Sequence, residues 1–248
     1  MLIKDDAICI RTVDYSETSQ IVTFFTRANG KVGLIAKGSK RPKSAFEGPI
    51  EIFAHGRIVF SDTSREKLAA LTEFEQEPAF ANLSANFFTF NCCLFAGELT
   101  DKMTEDYDPH PQLFDRFLEL LKNMSDTGHD SRGTTALLIL YQLSLLKEVG
   151  LKPVLDACAN CKTRYEIRDA RYEVYFSSSA NGVICRDCEG SFQDKVKMTA
   201  AAANCLSNLN LLADADEKTL GQVEKTLIYH FTELLHRPPK MAKYILKG

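Results

Sequence analysis

Ser19-Gln20-Ile21-Val22-Thr23-Phe24-Phe25-Thr26 runs into a turn at Asn29-Gly30 and returns as Lys31-Val32-Gly33-Leu34-Ile35-Ala36-Lys37. Both arms are rich in β-branched and aromatic residues, which suit a pleated, half-buried surface. Asn-Gly between two such runs is the strongest short-range hairpin signal, because glycine reaches positive φ without a steric penalty. Working outward, Ala7-Ile8-Cys9-Ile10-Arg11-Thr12 precedes the hairpin as a further strand. Pro49 to Phe60 and Leu68 to Phe74 follow it as two more apolar stretches. Five short strands in about seventy residues predict a small barrel.

Past Ala79 the period changes from two to that of a helix. Phe87, Phe88, Asn91, Leu94, Phe95 and Leu99 mark one helix over roughly 82–105, and Leu113, Phe117, Leu118, Leu120 and Leu121 mark a second. Asp126 to Gly133 reads as a polar loop. Ala136 to Val149 reads as a buried helix stopped by Gly150 and Pro153, a common helix-end arrangement. Thr199 opens an alanine-rich helix, Glu217 to Leu235 forms another, and Lys240 to Lys247 is a basic tail. The fold class is therefore α+β: a β-barrel domain over 1–79, then a helical domain over 80–248.

Inside the helical domain lie two matched cysteine pairs, Cys158-Ala159-Asn160-Cys161 and Cys185-Arg186-Asp187-Cys188, with twenty-three residues between them. A two-residue gap lets two thiolates wrap one ion, and two such knuckles supply the four ligands of a closed tetrahedral zinc site. The metal module is expected over about 156–192, with Tyr172-Glu173-Val174-Tyr175-Phe176 as a strand in its middle. A thioredoxin-like redox site needs one such pair in a βαβ context, not two pairs. Disulfides belong to secreted chains. The amino-terminal Met1-Leu2-Ile3-Lys4-Asp5-Asp6 carries acids where a signal peptide needs its apolar core. No run of eighteen apolar residues suggests a membrane span, so a cytoplasmic protein with one structural Zn2+ is expected. Cys9, Cys92, Cys93 and Cys205 sit in apolar surroundings and read as core residues.

The composition is that of an ordinary globular chain, 45% hydrophobic and 25% charged, with a formal net charge of −3. Its distribution says more than its total. From Thr18 to Phe46 there are six bases, Arg27, Lys31, Lys37, Lys40, Arg41 and Lys43, and no acid. A segregated basic face can bind a polyanion on a chain of neutral balance. Lys37, Lys40, Arg41 and Lys43 follow one loop, Lys31 starts the strand that delivers it, and Arg11 and Arg27 flank it. Phe46 just past the loop offers a base a stacking surface, while Phe24 and Phe25 should alternate between core and surface.

Catalytic signatures fail on inspection. Gly33 to Ser39 has the glycine spacing of a phosphate loop but lacks the following Lys-Ser/Thr and reads as strand and turn. No GxGxxG, HxE or HExxH is present. His55 and His230 are isolated and read as ordinary core or surface histidines. Asp101, Glu105, Asp106 and Asp108 cluster near a helix end. They read as a solvated face, with a metal-dependent nuclease as the sharper alternative.

Three blocks, in order, carry a resemblance. The first runs from Arg11-Thr12-x-Asp14-Tyr15-x-Glu17 through Gln20-Ile21-Val22-Thr23-Phe24-Phe25-Thr26 and Gly30-Lys31. It ends in Ala36-Lys37-Gly38-x-x-Arg41-Pro42-Lys43-Ser44-x-Phe46. The second is Gly150-Leu151-x-Pro153-x-Leu155-Asp156-x-Cys158-x-x-Cys161 with Gly182-Val183-x-Cys185-x-x-Cys188, and the third is Leu235-x-Arg237-x-x-Lys240. Together they resemble the RecO family of recombination mediators over nearly the whole chain. Lys162, where a glycine often follows the second cysteine, and the long linker between the knuckles depart from the pattern without removing a ligand.

The resemblance implies an OB-fold barrel followed by a helical domain carrying a zinc element, and a non-enzymatic role in homologous recombination repair in the bacterial cytoplasm, at the nucleoid. It implies binding of single- and double-stranded DNA without sequence preference, and annealing of complementary strands. It further implies the partner RecR, contact with the C-terminal tail of SSB, and help to RecA in displacing SSB. Some members of the family lack the cysteines, so the zinc is expected to support the fold and not the shared activity. The alternative from another class is a zinc-stapled protein–protein adaptor whose basic loop docks an acidic partner.

Overall fold

The computed structural model describes residues 1–46, 48–61, 68–78, 80, 83–126, 130–164 and 173–246. The chain forms two compact units, Met1–Leu83 with Thr100–Ser125 and Ser84–Leu99 with Asp126–Gly248. The division falls within one helix, α1 (Phe87–Met103).

In the first unit, β1 (Leu2–Asp14), β2 (Gln20–Thr26), β3 (Gly30–Ala36), β4 (His55–Ser61) and β5 (Ala69–Gln76) close a barrel in the order β1-β2-β3-β5-β4. The pairs are antiparallel except β3 with β5, which run parallel through Leu34↔Ala69 and Ile35↔Ala70. The strand pattern predicts a small barrel, and this five-stranded closed one is the OB fold that the resemblance implies. Alternate residues of β3 (Val32, Leu34, Ala36) face the core, as a period of two requires. They meet Ala7, Cys9, Val22, Phe24, Ile58, Phe60, Leu71 and Phe74. Phe24 and Phe74 meet edge-on with centroids 5.4 Å apart. Burial of each such side chain stabilises by about 1.5–3 kcal/mol.

Thr26 pairs with Gly30, so the hairpin loop is Arg27-Ala28-Asn29. Gly30 has φ +68, and a Cβ there would lie 2.2 Å from the Asp108 carbonyl oxygen. Only glycine permits both the turn and that approach. Asp5 holds the loop by accepting from Ala28 N at 3.0 Å and from Asn29 Nδ2 at 2.7 Å.

Helix α2 (Pro111–Ser125) starts with proline at its first position, where a missing N–H costs nothing. It buries Leu113, Phe114, Phe117, Leu120, Leu121 and Met124. Phe114 packs on Phe25 (6.1 Å between centroids) and Phe117 on Phe53 (6.2 Å). Phe24 and Phe25 are therefore both fully buried. The alternation expected for them fails because this helix, eighty-odd residues downstream, covers the outer face of β2 at Phe25.

The second unit contains α3 (Ser131–Glu148), α4 (Ala200–Ser207), α5 (Glu217–Leu235), α6 (Ala242–Ile245) and a sheet in the order β7-β6-β8. Its strands are β6 (Val174–Ser177), β7 (Gly182–Cys185) and β8 (Lys195–Met198). Helix α3 begins earlier than its apolar run, because Asp130 caps it by accepting from Gly133 N at 2.9 Å. Gly150, at φ +77, ends it. The α5 bounds match the sequence reading, with Asp216 as cap. Strand β6 covers the expected Val174–Phe176, whereas Tyr172 lies outside the described residues, as does Lys247 of the basic tail. Among the described residues, no helix is long and apolar enough to cross a membrane.

Candidate nucleic-acid face and metal centre

The β2–β3 hairpin sorts the expected basic residues into two groups. Gln20 pairs with Ala36 at one end, and Thr26 with Gly30 at the other. Six residue steps at about 3.3 Å each separate these ends by roughly 20 Å. Arg27 and Lys31 stand at the turn, and Lys37 to Lys43 leave from the far end.

At the turn, both charges are already paired. Arg27 forms a two-pronged pair with Asp115, Nε to Oδ1 and Nη2 to Oδ2 both at 2.9 Å. That hydrogen bond, reinforced by charge, holds the Asp115 carboxyl below the usual range and the guanidinium above its own. Lys31 is deeper, its side chain 12% exposed. Its ammonium donates to the carbonyls of Asp101 (2.5 Å) and Thr104 (3.0 Å), and lies 3.4 Å from carboxylates of Asp101 and Asp106. A cation at the last carbonyls of a helix satisfies orphan acceptors and opposes the negative dipole end. Half of the acidic cluster suspected of nuclease chemistry is thus the socket of a lysine. Asp108 instead pairs with His110 at 3.2 Å.

The far end is open. Lys37, Arg41 and Lys43 are exposed and, among the described residues, enter no ion pair. Lys40 pairs with Asp14 at 2.8 Å. The root of this loop is fixed by one buried side chain that sequence reading missed. Gln20 Oε1 accepts from Ser39 Oγ and from Ile50 N, both at 2.9 Å, and Gln20 Nε2 donates to Ile50 O at 3.2 Å. A lone polar residue at the start of an apolar strand was the available signal. Phe46 does not stack on solvent-borne groups: it is 6% exposed and packs into the barrel core, where burial of a phenyl ring outweighs its place beside a basic loop.

Arg11 reaches the outer surface through a bulge. Cys9 pairs with Phe24 but Arg11 with Thr23, so Ile10 is the extra residue. Without it Arg11 would keep the inward parity of Ala7 and Cys9, since a one-residue slip exchanges the faces of a strand. With it, Arg11 is exposed and its Nε donates to Thr23 Oγ1 at 3.4 Å.

In the second unit the four expected cysteines converge. Their sulfurs all lie within 4.8 Å of one another. Cys161 Sγ and Cys185 Sγ are 3.8 Å apart, which is about the edge of a tetrahedron with metal–sulfur bonds of about 2.3 Å. The first knuckle is a tight turn, Cys158 N to Thr163 O at 2.9 Å and Lys162 N to Cys158 O at 2.9 Å, with Lys162 at φ 63. The second joins the end of β7 to a 3-10 turn, Arg186–Ser191. Cys185 N donates to Cys158 Sγ at 3.4 Å, a contact that steadies a thiolate. Hydrogen bonding from Thr163 draws the Cys161 thiol down to about 6, while burial pushes Cys185 up to about 12. A cation bound among them would displace the remaining protons. By contrast, burial raises Cys9 and Cys93 to about 12, as expected of core thiols.

His230 is fully buried, with Nδ1 2.8 Å from Ser178 Oγ, and burial lowers it to about 4. Glu224 on α5 accepts from Gln142 Nε2 of α3 at 2.9 and 2.7 Å, and burial raises it to about 8.

The first unit and the cysteine centre define an OB-barrel protein joined to a helical half that carries four thiols placed so that they could hold a metal ion. The model for the recombination protein O N-terminal domain matches residues 1–79, and that for its C-terminal domain matches residues 84–242. The DNA repair protein RecO of Bacillus pumilus is 32% identical over 226 residues, 90% of this chain and 82% of its own. That of Halalkalibacterium halodurans is 31% identical over 240 residues, 93% of this chain and 89% of its own. The Bacillus subtilis protein is 34% identical over 188 residues, 76% of this chain and 69% of its own. The chain belongs to the RecO family of DNA repair proteins.

Proposed function

We propose that this protein is a non-enzymatic recombination mediator of the bacterial cytoplasm. It binds single- and double-stranded DNA without sequence preference, anneals complementary strands, and with RecR helps RecA onto SSB-coated DNA. The observation that carries the reading is the loop of Lys37, Lys40, Arg41 and Lys43, which among the described residues is ion-paired with no acid but Asp14 and which Gln20 holds through Ser39 and Ile50. The barrel domain, 1–79, is the DNA-binding part, and 80–248 is the adaptor part that meets RecR and the SSB tail.

Each base that neutralises a phosphate releases counterions, so affinity falls as salt rises. Contacts to the backbone position a strand and carry no sequence information. Annealing needs no reacting group. A surface that neutralises two strands lowers their repulsion and raises their local concentration, and base pairing then specifies the product. In this reading Lys37, Lys40, Arg41, Lys43 and Arg11 make the phosphate contacts, while Arg27 and Lys31 hold α2 and the end of α1 against the barrel.

The ion of the four-cysteine site is zinc in this proposal. Soft thiolates in a closed tetrahedral set favour it, and such a site holds shape without chemistry.

Annealing of labelled complementary oligonucleotides, followed at several salt concentrations without nucleotide, tests the activity. Rapid annealing that fades with salt and leaves both strands intact is expected. Absence of binding and annealing would overturn the reading in favour of a protein-docking adaptor. Metal analysis of the purified protein should return about one zinc per chain, lost in Cys158→Ser.

A further inference from the structure

The basic loop explains attraction to any phosphate backbone, but not a grip on the bases that only a single strand exposes. The described exterior of the barrel unit carries an exposed aromatic at Tyr15, 61% accessible. Other aromatics of this unit are committed to packing: Phe24 and Phe25 are fully buried, Phe46 is 6% exposed, and Tyr107 packs on the barrel core.

Tyr15 is also held in place beside the loop. The β1–β2 turn is closed by Tyr15 N to Ser19 O at 3.0 Å and Ser16 N to Ser19 O at 3.2 Å. The basic loop is stitched to this turn by Lys40 N to Thr18 O (3.1 Å) and Gly38 N to Ser19 Oγ (3.1 Å). Lys40 also pairs with Asp14, the residue before Tyr15 in the chain. On the strand side, the Ile10 bulge that exposes Arg11 also exposes Val13, 51% accessible. Tyr15 follows these two at the next alternate position, one residue past the end of β1. Cation, aliphatic and aromatic side chains thus follow one another in alternate positions and end against the basic loop.

We propose that Tyr15 is a base-stacking platform for single-stranded DNA. The inference rests on the reading of the 37–43 loop as a phosphate-binding surface. Every base has a π face, so stacking adds affinity without sequence preference, whereas in a duplex the faces are already occupied by neighbouring bases. The turn between the first two strands is also a place where OB barrels receive oligonucleotides.

Three proteins, wild type, Tyr15→Phe and Tyr15→Leu, are titrated with oligo-dT, with an abasic oligonucleotide of equal length, and with a duplex. Melting curves of the three are compared, and an exposed ring predicts no change. The wild type and Tyr15→Phe should prefer oligo-dT to the abasic strand. Tyr15→Leu should bind oligo-dT roughly 5- to 150-fold more weakly, at the abasic level, with abasic and duplex binding unaltered. Retention of the oligo-dT preference in Tyr15→Leu, no such preference in the wild type, or an equal loss on all three ligands would overturn the stacking role and leave the phosphate reading standing. Failure of the wild type to bind any of the three would remove the phosphate reading and this inference with it.

Discussion

The turn end and the loop end of the β2–β3 hairpin carry basic residues that look alike in the sequence, and the fold gives them different surroundings. Arg27 and Lys31 are closed off by Asp115, Asp101 and Asp106, which lie some seventy to ninety positions downstream. Lys37, Arg41 and Lys43 keep their charge available to solvent. The stretch from Thr18 to Phe46 lacks acids in sequence but not in space. Whether a cation serves a ligand or the fold is decided by what folds back onto it. Burial settles the matter at Lys31, and a two-pronged partner at Arg27.

The sharpest way to break this comparison is to remove each group separately. Replacing Lys37, Lys40, Arg41 and Lys43 with Ala should lower DNA affinity on the order of 10²-fold, and lower the salt slope by about three for single strands. Melting should change little, since exposed charges contribute little to stability. An unchanged salt slope in the folded variant would refute the assignment of the two ends. Lys31→Met should do the reverse. It leaves two helix-end carbonyls and two carboxylates without their cation, at a cost of about 1–3 kcal/mol of stability, with the salt slope intact in urea-free binding assays.

The rule that environment sets the charge can be tested in the second unit as well. Glu224 binds its proton more tightly folded than unfolded. Its contribution is complete below the ordinary glutamate value of 4.5 and is lost as pH rises through about 8. His230 acts oppositely: its contribution is complete above 6.5 and is lost as pH falls through about 4. The two slopes offset each other between about 4.5 and 6.5. From there to pH 8 stability should decline by at most about 1.4 kcal/mol per pH unit. Denaturant midpoints for Glu224→Gln should be flat over that upper range; a decline equal to wild type would assign the slope to another group. The smallest effect belongs to Arg27→Ala. That pair is about half exposed on both sides, so solvent screens it and the loss, read from urea midpoints, should be slight. A large drop there would mean that the turn end depends on Arg27 more than on Lys31.

Much of this architecture was legible because its signals are local. The Asn29-Gly30 turn, the alternation of β3, the cap-to-cap extent of α5 and the two cysteine pairs each lie within a few residues of what they determine. The remainder was hidden because it depends on distant partners. Phe46 looked like a stacking surface until the barrel core claimed it. The Ile10 bulge is invisible in the sequence, since Ile8, Cys9 and Ile10 are equally apolar. Strands β7 and β8 are only four residues each, too short to show a period. Gln20 stood out as polar, but nothing adjacent announced that its partners would be Ser39 and Ile50.

That single amide has a calorimetric consequence. Because Gln20 ties both roots of the loop, association with a polyanion should require ordering of lysine and arginine rotamers rather than of the backbone. Little apolar surface is at stake there, so the heat-capacity change on forming a complex should be small. Loosening Gln20 would then appear first as a less favourable binding entropy, with the number of released ions unchanged.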